Sequence, residues 1–228
     1  MYIKRIKLKD FRNYKELNIN LDENFNIIYG NNAQGKTNII ESIYVSAIGR
    51  SFRTKKDNEL INLNSENATI EIEYKKEDRE GKIKTDIKDK KIFFINGIKQ
   101  KKISDIIGNI KIVLFNPDDI NIIKGGPSLR RKFLDIMISQ LKPNYLHILN
   151  TYLKALEQRN YYLKQIKFEN KPINMLEIWD EKLSELDYEI YKYREKFLRI
   201  IRRKNKRYPQ KYNKLWIKSR KNRNKIFI

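Results

Sequence analysis

Eight consecutive residues, Gly30-Asn31-Asn32-Ala33-Gln34-Gly35-Lys36-Thr37, satisfy every fixed position of the phosphate-binding pattern G-x-x-x-x-G-K-[ST]. That pattern dictates a local fold. Its glycines let the backbone curl until successive N–H groups converge on an anion, and the helix that follows turns its positive end to the same point. Lys36 is then the candidate to reach the β and γ phosphates of a nucleoside triphosphate such as ATP, and the Thr37 hydroxyl the candidate ligand of Mg²⁺. An ordinary glycine turn is the competing reading, and the flanks argue against it. An apolar run, Phe25 to Tyr29, enters the loop as a strand would. Beyond Thr37, Ile39, Ile40, Ile43, Tyr44, Ala47 and Ile48 recur at helical spacing up to Gly49, a suitable C-cap.

Alternation marks further strands around Ile3, Ile6 and Leu8, around Leu17, Ile19 and Leu21, and over Ala68 to Tyr74, Ile83 to Ile87 and Ile92 to Ile95. Asn96-Gly97 supplies a hairpin turn that accepts positive φ, so these short strands are expected to be antiparallel. Ile110 to Phe115 is a denser apolar run and reads as a buried strand. After Asn116-Pro117 the pattern turns helical. Pro127 suits the first turn of a helix reaching about Leu141, and Pro143 begins a second in which Leu146, Leu149, Leu153, Leu156, Asn160 and Leu163 form a stripe. The loop Lys167 to Pro172 then reverses the chain into a third helix striped by Trp179, Leu183, Leu186, Ile190, Tyr193, Phe197 and Ile200. Two such stripes predict an antiparallel helical hairpin, with Asn160 as a polar break able to fix register. The expected organisation is a nucleotide-binding lobe over residues 1–116, a helical domain over 117–203 and a basic tail over 204–228.

Charge narrows the partners. The formal net charge is +22, from 50 Lys and Arg against 28 Asp and Glu. Twelve of those bases and no acid lie between Arg202 and Ile228, so the rest of the chain carries +10. A polyanion is the first partner to consider, although +10 alone is equally compatible with mere solubility. Cysteine is absent and His147 is the single histidine, which excludes disulfides, thiol catalysis and zinc-thiolate or histidine-based metal sites. With no apolar stretch of membrane-spanning length and no signal-like N-terminus, a cytoplasmic location away from membranes is expected.

A second motif singles out one family of phosphate-loop proteins. The segment Pro117-Asp118-Asp119-Ile120-Asn121-Ile122-Ile123-Lys124-Gly125-Gly126-Pro127-Ser128-Leu129-Arg130-Arg131-Lys132-Phe133-Leu134-Asp135 closely resembles the signature segment of the RecF family of bacterial recombinational repair proteins. The opening Ile6-Lys7-Leu8-Lys9-Asp10-Phe11-Arg12-Asn13-Tyr14 and the segment Gly49-Arg50-Ser51-Phe52-Arg53-Thr54 resemble that family too, and the likeness covers about residues 1 to 200. The resemblance implies an α/β fold: an ABC-type phosphate-loop ATPase head, here incomplete, with a mixed sheet containing antiparallel strands and an inserted helical domain. It further implies ATP and Mg²⁺ as cofactors, an ATP-dependent homodimer, DNA as ligand, and RecO and RecR as partners in loading RecA. Arg12 and Arg53 lie in segments that in the family adjoin the nucleotide, with surface solvation as the alternative. Arg130 and Arg131 are candidates to contact DNA phosphates or a partner subunit, while the i, i+4 spacing of Arg131 and Asp135 offers an intrahelical ion pair instead.

The chain also departs from the family. The ABC signature and the Walker B aspartate with its catalytic glutamate are not recognisable, so hydrolysis is expected to be severely impaired. Ile112-Val113-Leu114-Phe115 before Asn116-Pro117-Asp118-Asp119 superficially resembles a Walker B strand, but Pro117 interrupts its end. Absence of the true Walker B strand, which lies beside the phosphate-loop strand in such heads, is expected to expose apolar faces and an unpaired edge. The acid-free tail reads either as a frameshifted continuation or as a nucleic-acid-binding extension. A non-functional fragment of a RecF-like protein and an unrelated phosphate-loop enzyme are the alternatives to a RecF-like DNA repair function.

Overall fold

The computed structural model describes residues 1–169 and 171–205, so the basic tail, apart from its first two residues, lies outside the described residues. Contacts divide the chain into two units, Met1–Pro143 and Asn144–Ile228. The division therefore falls later than residue 116, because the helix over Pro127–Leu141 stays with the first unit. Its buried Gln140 binds the backbone of Ile112 from both sides, accepting from the N–H at 2.8 Å and donating to the carbonyl at 3.2 Å.

Six antiparallel strands form the sheet of the first unit, in the order β2-β1-β3-β4-β5-β6. They are β1 (Tyr2–Phe11), β2 (Tyr14–Asn20), β3 (Ala68–Lys76), β4 (Arg79–Ile87), β5 (Lys91–Ile95) and β6 (Ile98–Lys99). Three hairpins have two-residue turns, and Asn96-Gly97 takes the positive φ values of 49° and 84° that its sequence anticipates. Alternation sorts the faces. Ile6, Leu8, Ala68, Ile70, Ile72, Ile83 and Ile87 are buried on one side. On the other, Glu71 and Glu73 of β3 stand opposite Lys84 and Lys82 of β4, and Lys82 reaches Glu71 diagonally at 2.6 Å.

Helix α1 (Lys36–Ile48) supplies Ile39, Tyr44, Val45, Ala47 and Ile48 to the same core, together with Phe11 and Leu60. The larger ones among them, Phe11, Val45 and Leu60, contribute about 1.5–3 kcal/mol each when fully buried. The helix stops at Gly49, whose φ of 81° and whose N–H bond to the Val45 carbonyl make a left-handed cap. A short α2 (Asn121–Lys124) and α3 (Pro127–Leu141) complete the unit.

Two expected strands are not strands. Phe25 to Tyr29 and Ile110 to Phe115 belong to no ladder, Ile110 making only an isolated bridge to Ile107, and Phe25, Ile27, Tyr29, Val113 and Phe115 are 63–89% exposed. Their periodicity is real, but a strand exists only where another pairs with it, and among the described residues none does. Since Pro117–Ile120 is a 3-10 turn following an unpaired segment, the Walker B-like run has no strand to carry it either.

The second unit is an antiparallel helical hairpin of α4 (Pro143–Glu169) and α5 (Leu176–Asn205). Cross-links appear in mirrored order: Asn144 to Tyr193 at 3.2 Å, Arg159 to Asp180 at 2.6 Å, and Tyr162 to the Pro172 carbonyl at 2.9 Å. Asn160 is exposed and so does not fix the register from within. Tyr145, Leu146, Ala155 and Ile190 are the buried positions instead. No helix among the described residues is long and apolar enough to cross a membrane.

Because Phe25 and Phe115 contribute little to the core, Phe25→Ser with Phe115→Ser is expected to leave the thermal unfolding midpoint nearly unchanged while lowering binding of a hydrophobic dye such as ANS. A midpoint lowered by several degrees would show that these side chains are packed.

Candidate nucleotide-binding site

The loop before α1 is wound by three left-handed residues, Gly30 at φ 144°, Ala33 at 65° and Gly35 at 92°. Gly35 is also hemmed in: a Cβ there would lie 2.7 Å from the Asn13 amide oxygen and 2.8 Å from the Tyr14 hydroxyl. No side chain caps the start of α1, so the N–H groups of its first turn are not taken by a capping side chain. Lys36 folds back along the loop, and its ammonium donates to the carbonyls of Gly30 at 2.7 Å and Asn31 at 2.6 Å. Asn31, Asn32, Ala33 and Gln34 are exposed, as is Thr37 on the first turn. An uncapped helix start, a solvent-facing curl and an ammonium in one place fit the phosphates of a nucleotide.

The turn joining β1 to β2 buttresses this loop. Tyr14 donates to the Gln34 carbonyl at 3.3 Å, and the Asn38 amide donates to Asn13 at 2.7 Å. Arg12, in the same turn, holds a left-handed φ of 55° that its side chain must stabilise. The partner is Glu41, a fully buried carboxylate on α1, which accepts from Arg12 Nε at 3.0 Å and Nη2 at 2.8 Å. Ser51 donates to the same carboxylate at 2.5 Å and Arg53 approaches at 3.3 Å, while Arg53 also donates to Asn38 at 2.8 Å. Arg12 and Arg53 are thus brought together beside the loop, neither of them merely solvated. Glu41 was missed by sequence pattern, though it had a signal: it is the one acid in α1, in the middle of a helix that otherwise reads as apolar.

The signature-segment arginines lie elsewhere in the first unit. Arg130 closes the end of α2, donating to the carbonyls of Gly125 at 2.9 Å and Ile122 at 3.3 Å, and Arg131 is exposed. A cavity of about 720 Å³ borders the first turn of α1, lined among others by Thr37, Arg50, Arg53, Asn116, Asp119 and Lys132. Burial pushes the phenol pKa of Tyr44, at its wall, above the ordinary value, against an opposing contribution from Arg50. Among the described residues no group of three or more His, Asp or Glu is placed to hold a metal.

Residues 2–160 match the RecF/RecN/SMC N terminal domain. The chain belongs to that family. Within it the likeness is to the N-terminal portion of RecF: the chain is 46% identical over 203 residues to the DNA replication and repair protein RecF of Acetivibrio thermocellus and 45% identical over 203 residues to that of Clostridium tetani. Each alignment takes in 88% of this chain but 55% of the relative, so the chain spans about half the length of the curated relatives it matches. A solved structure described as the recombination mediator protein RecF-ATP in the RecFOR pathway superposes with a TM-score of 0.83 at 42% identity, covering 87% of this chain and 54% of that one. A companion RecF-ATPrS structure gives 0.82 at the same identity, with the same shares of the two chains covered. The α/β fold is accordingly that of a RecF-type ABC ATPase head.

Removing Arg12 strips two charge-assisted hydrogen bonds from the fully buried Glu41 carboxylate and leaves it the longer contact to Arg53 and the Ser51 hydroxyl. Arg12→Ala is therefore expected to lower the unfolding free energy by about 3–5 kcal/mol in urea titrations, whereas Arg131→Ala changes it by less than about 0.5 kcal/mol.

Proposed function

We propose that the chain is the ATP-binding lobe of a RecF-type DNA replication and repair protein, and that the loop Gly30 to Thr37 holds ATP with Mg²⁺. The observation that carries this reading is the left-handed loop with Lys36 at its centre, set on an uncapped helix start. Backbone N–H groups and Lys36 would bind the phosphates, Thr37 the metal ion, and Arg12 and Arg53 the side of the phosphate chain. Bound nucleotide would supply a γ-phosphate that a second subunit can touch, making dimerisation depend on ATP.

DNA is the proposed ligand of that dimer, at gaps or ends, bound through phosphates and thus weakened by salt; Arg131 is a candidate contact. RecO and RecR are the proposed partners in helping RecA onto such DNA. Hydrolysis is not assigned to this chain, because the Walker B carboxylates that hold the metal ion and orient water in such heads are not recognisable in its sequence. The exposed run Phe25 to Tyr29, which leads into the loop, favours a second reading in which further polypeptide must cover it before the site binds tightly.

Isothermal titration of the chain with MgATP tests the reading. Binding that Lys36→Ala weakens at least about a hundredfold is expected, since a charge-assisted contact to each of two phosphates is lost. Equal affinity in Lys36→Ala would overturn it. Binding that appears only after addition of the C-terminal half of a RecF relative would favour the second reading.

A further inference from the structure

Glu41 is an expensive residue to bury. A carboxylate at 0% exposure loses several kcal/mol of hydration, and replacing a whole buried ion pair with well-packed apolar side chains is often neutral for stability. Anchoring the β1–β2 turn would require Arg12 alone, yet Glu41 gathers three donor side chains from two other segments. Oε1 accepts from Arg12 and Ser51, and Oε2 from Arg12 and Arg53. Ser51 in turn accepts from the backbone N–H groups of Arg53 at 2.9 Å and Thr54 at 3.1 Å, so the carboxylate fixes the loop that carries Arg53 as well as its side chain.

The two arginines are held differently. Arg12 uses Nε and Nη2 on Glu41 and Nη1 on the Glu59 carbonyl at 2.7 Å, and its side chain is 17% exposed. Arg53 is 44% exposed and is held by Nη1 alone; among the described residues its Nε and Nη2 make no hydrogen bond. Its one close partner is Asn38, the neighbour of Thr37. One carboxylate shared by two guanidinium groups leaves a surplus positive charge, and the half-free arginine directs it to the first turn of α1, where Lys36 and Thr37 lie.

We propose that Glu41 is a positioning residue of the nucleotide site: it holds Arg12 and Arg53 at the flank of the phosphate loop so that their surplus charge meets the phosphates of the bound nucleotide. The proposal rests on the nucleotide-site reading given above. A carboxylate with a purely structural role would affect how much protein is folded and not how well the folded protein binds.

The test is a double-mutant cycle on MgATP affinity, using Glu41→Gln, Arg53→Ala and both together, with Lys36→Ala as the site control and unfolding midpoints for every chain. Glu41→Gln keeps the shape but presents an amide to two guanidinium groups. Folded Glu41→Gln is expected to bind MgATP about tenfold more weakly, and Arg53→Ala to cost about tenfold alone but less than about threefold in the Glu41→Gln background. Unchanged affinity in folded Glu41→Gln, or losses that simply multiply, would overturn the proposal while leaving the site reading intact. MgATP binding that is insensitive to Lys36→Ala would overturn the site reading and the proposal together. Should Glu41→Gln fail to fold, Ser51→Ala takes its place in the same cycle, because it cuts the link from the carboxylate to the Arg53 loop; the same coupling supports positioning, and additive losses overturn it.

Discussion

One buried carboxylate ties the phosphate loop to the sheet. Glu41 sits on the core-facing side of α1, and without a counter-charge that burial would be prohibitive. Arg12 supplies the counter-charge from the turn between β1 and β2, and its backbone is clamped in the same place: its N–H donates to the Leu60 carbonyl at 2.8 Å and its carbonyl accepts from the Asn62 amide at 2.8 Å. The left-handed φ of Arg12 is thus over-determined by its surroundings, which is the condition under which strained backbone persists. Through that turn Asn13 and Tyr14 are set against Gly35 and Gln34, so the geometry of the loop is coupled to the pairing of β1 with β2.

Much of this architecture was legible in the chain itself, wherever the signal was local. Period-two alternation in β3 and β4, Asn96-Gly97 at the tip of β5 and β6, Gly49 after α1 and Pro127 at the first position of α3 each decide their own neighbourhood. The phosphate loop was legible for the same reason, since four fixed positions encode one backbone path. Arg12 and Arg53 came from family likeness rather than from pattern, and Glu41 from neither. A single acid in an apolar helix is ambiguous by sequence alone: it marks either a solvated edge or a buried partner, and only the tertiary arrangement of Arg12 decides.

Failures of the local reading have a common cause. Phe25 to Tyr29 and Ile110 to Phe115 carry as much alternation and apolarity as the strands that formed, but β structure is a property of pairs. β1 finds β2 and β3 within the first 76 residues of the chain. Among the described residues the two runs find no partner strand, Ile110 making only an isolated bridge to Ile107. Gln140 illustrates the compensation available: its amide stands in for one rung of a ladder at Ile112, satisfying both backbone groups there and leaving Val113 and Phe115 in solvent.

Different halves of the site therefore depend on different parts of the molecule. The flank made by Asn13, Arg12, Glu41 and Arg53 is braced by α1 and by the pairing of β1 with both β2 and β3. The entry to the loop through Phe25 to Tyr29 is braced by no ladder, and Gly30 at φ 144° follows directly from it. In the proposed nucleotide complex, phosphate contacts from α1 and the arginine flank would draw on the braced half, whereas the curl of loop N–H groups would draw on the open half. Any polypeptide that pairs with residues 25–29 would tighten the second without altering the first, and affinity for the nucleotide would rise because less ordering remains to be done on binding.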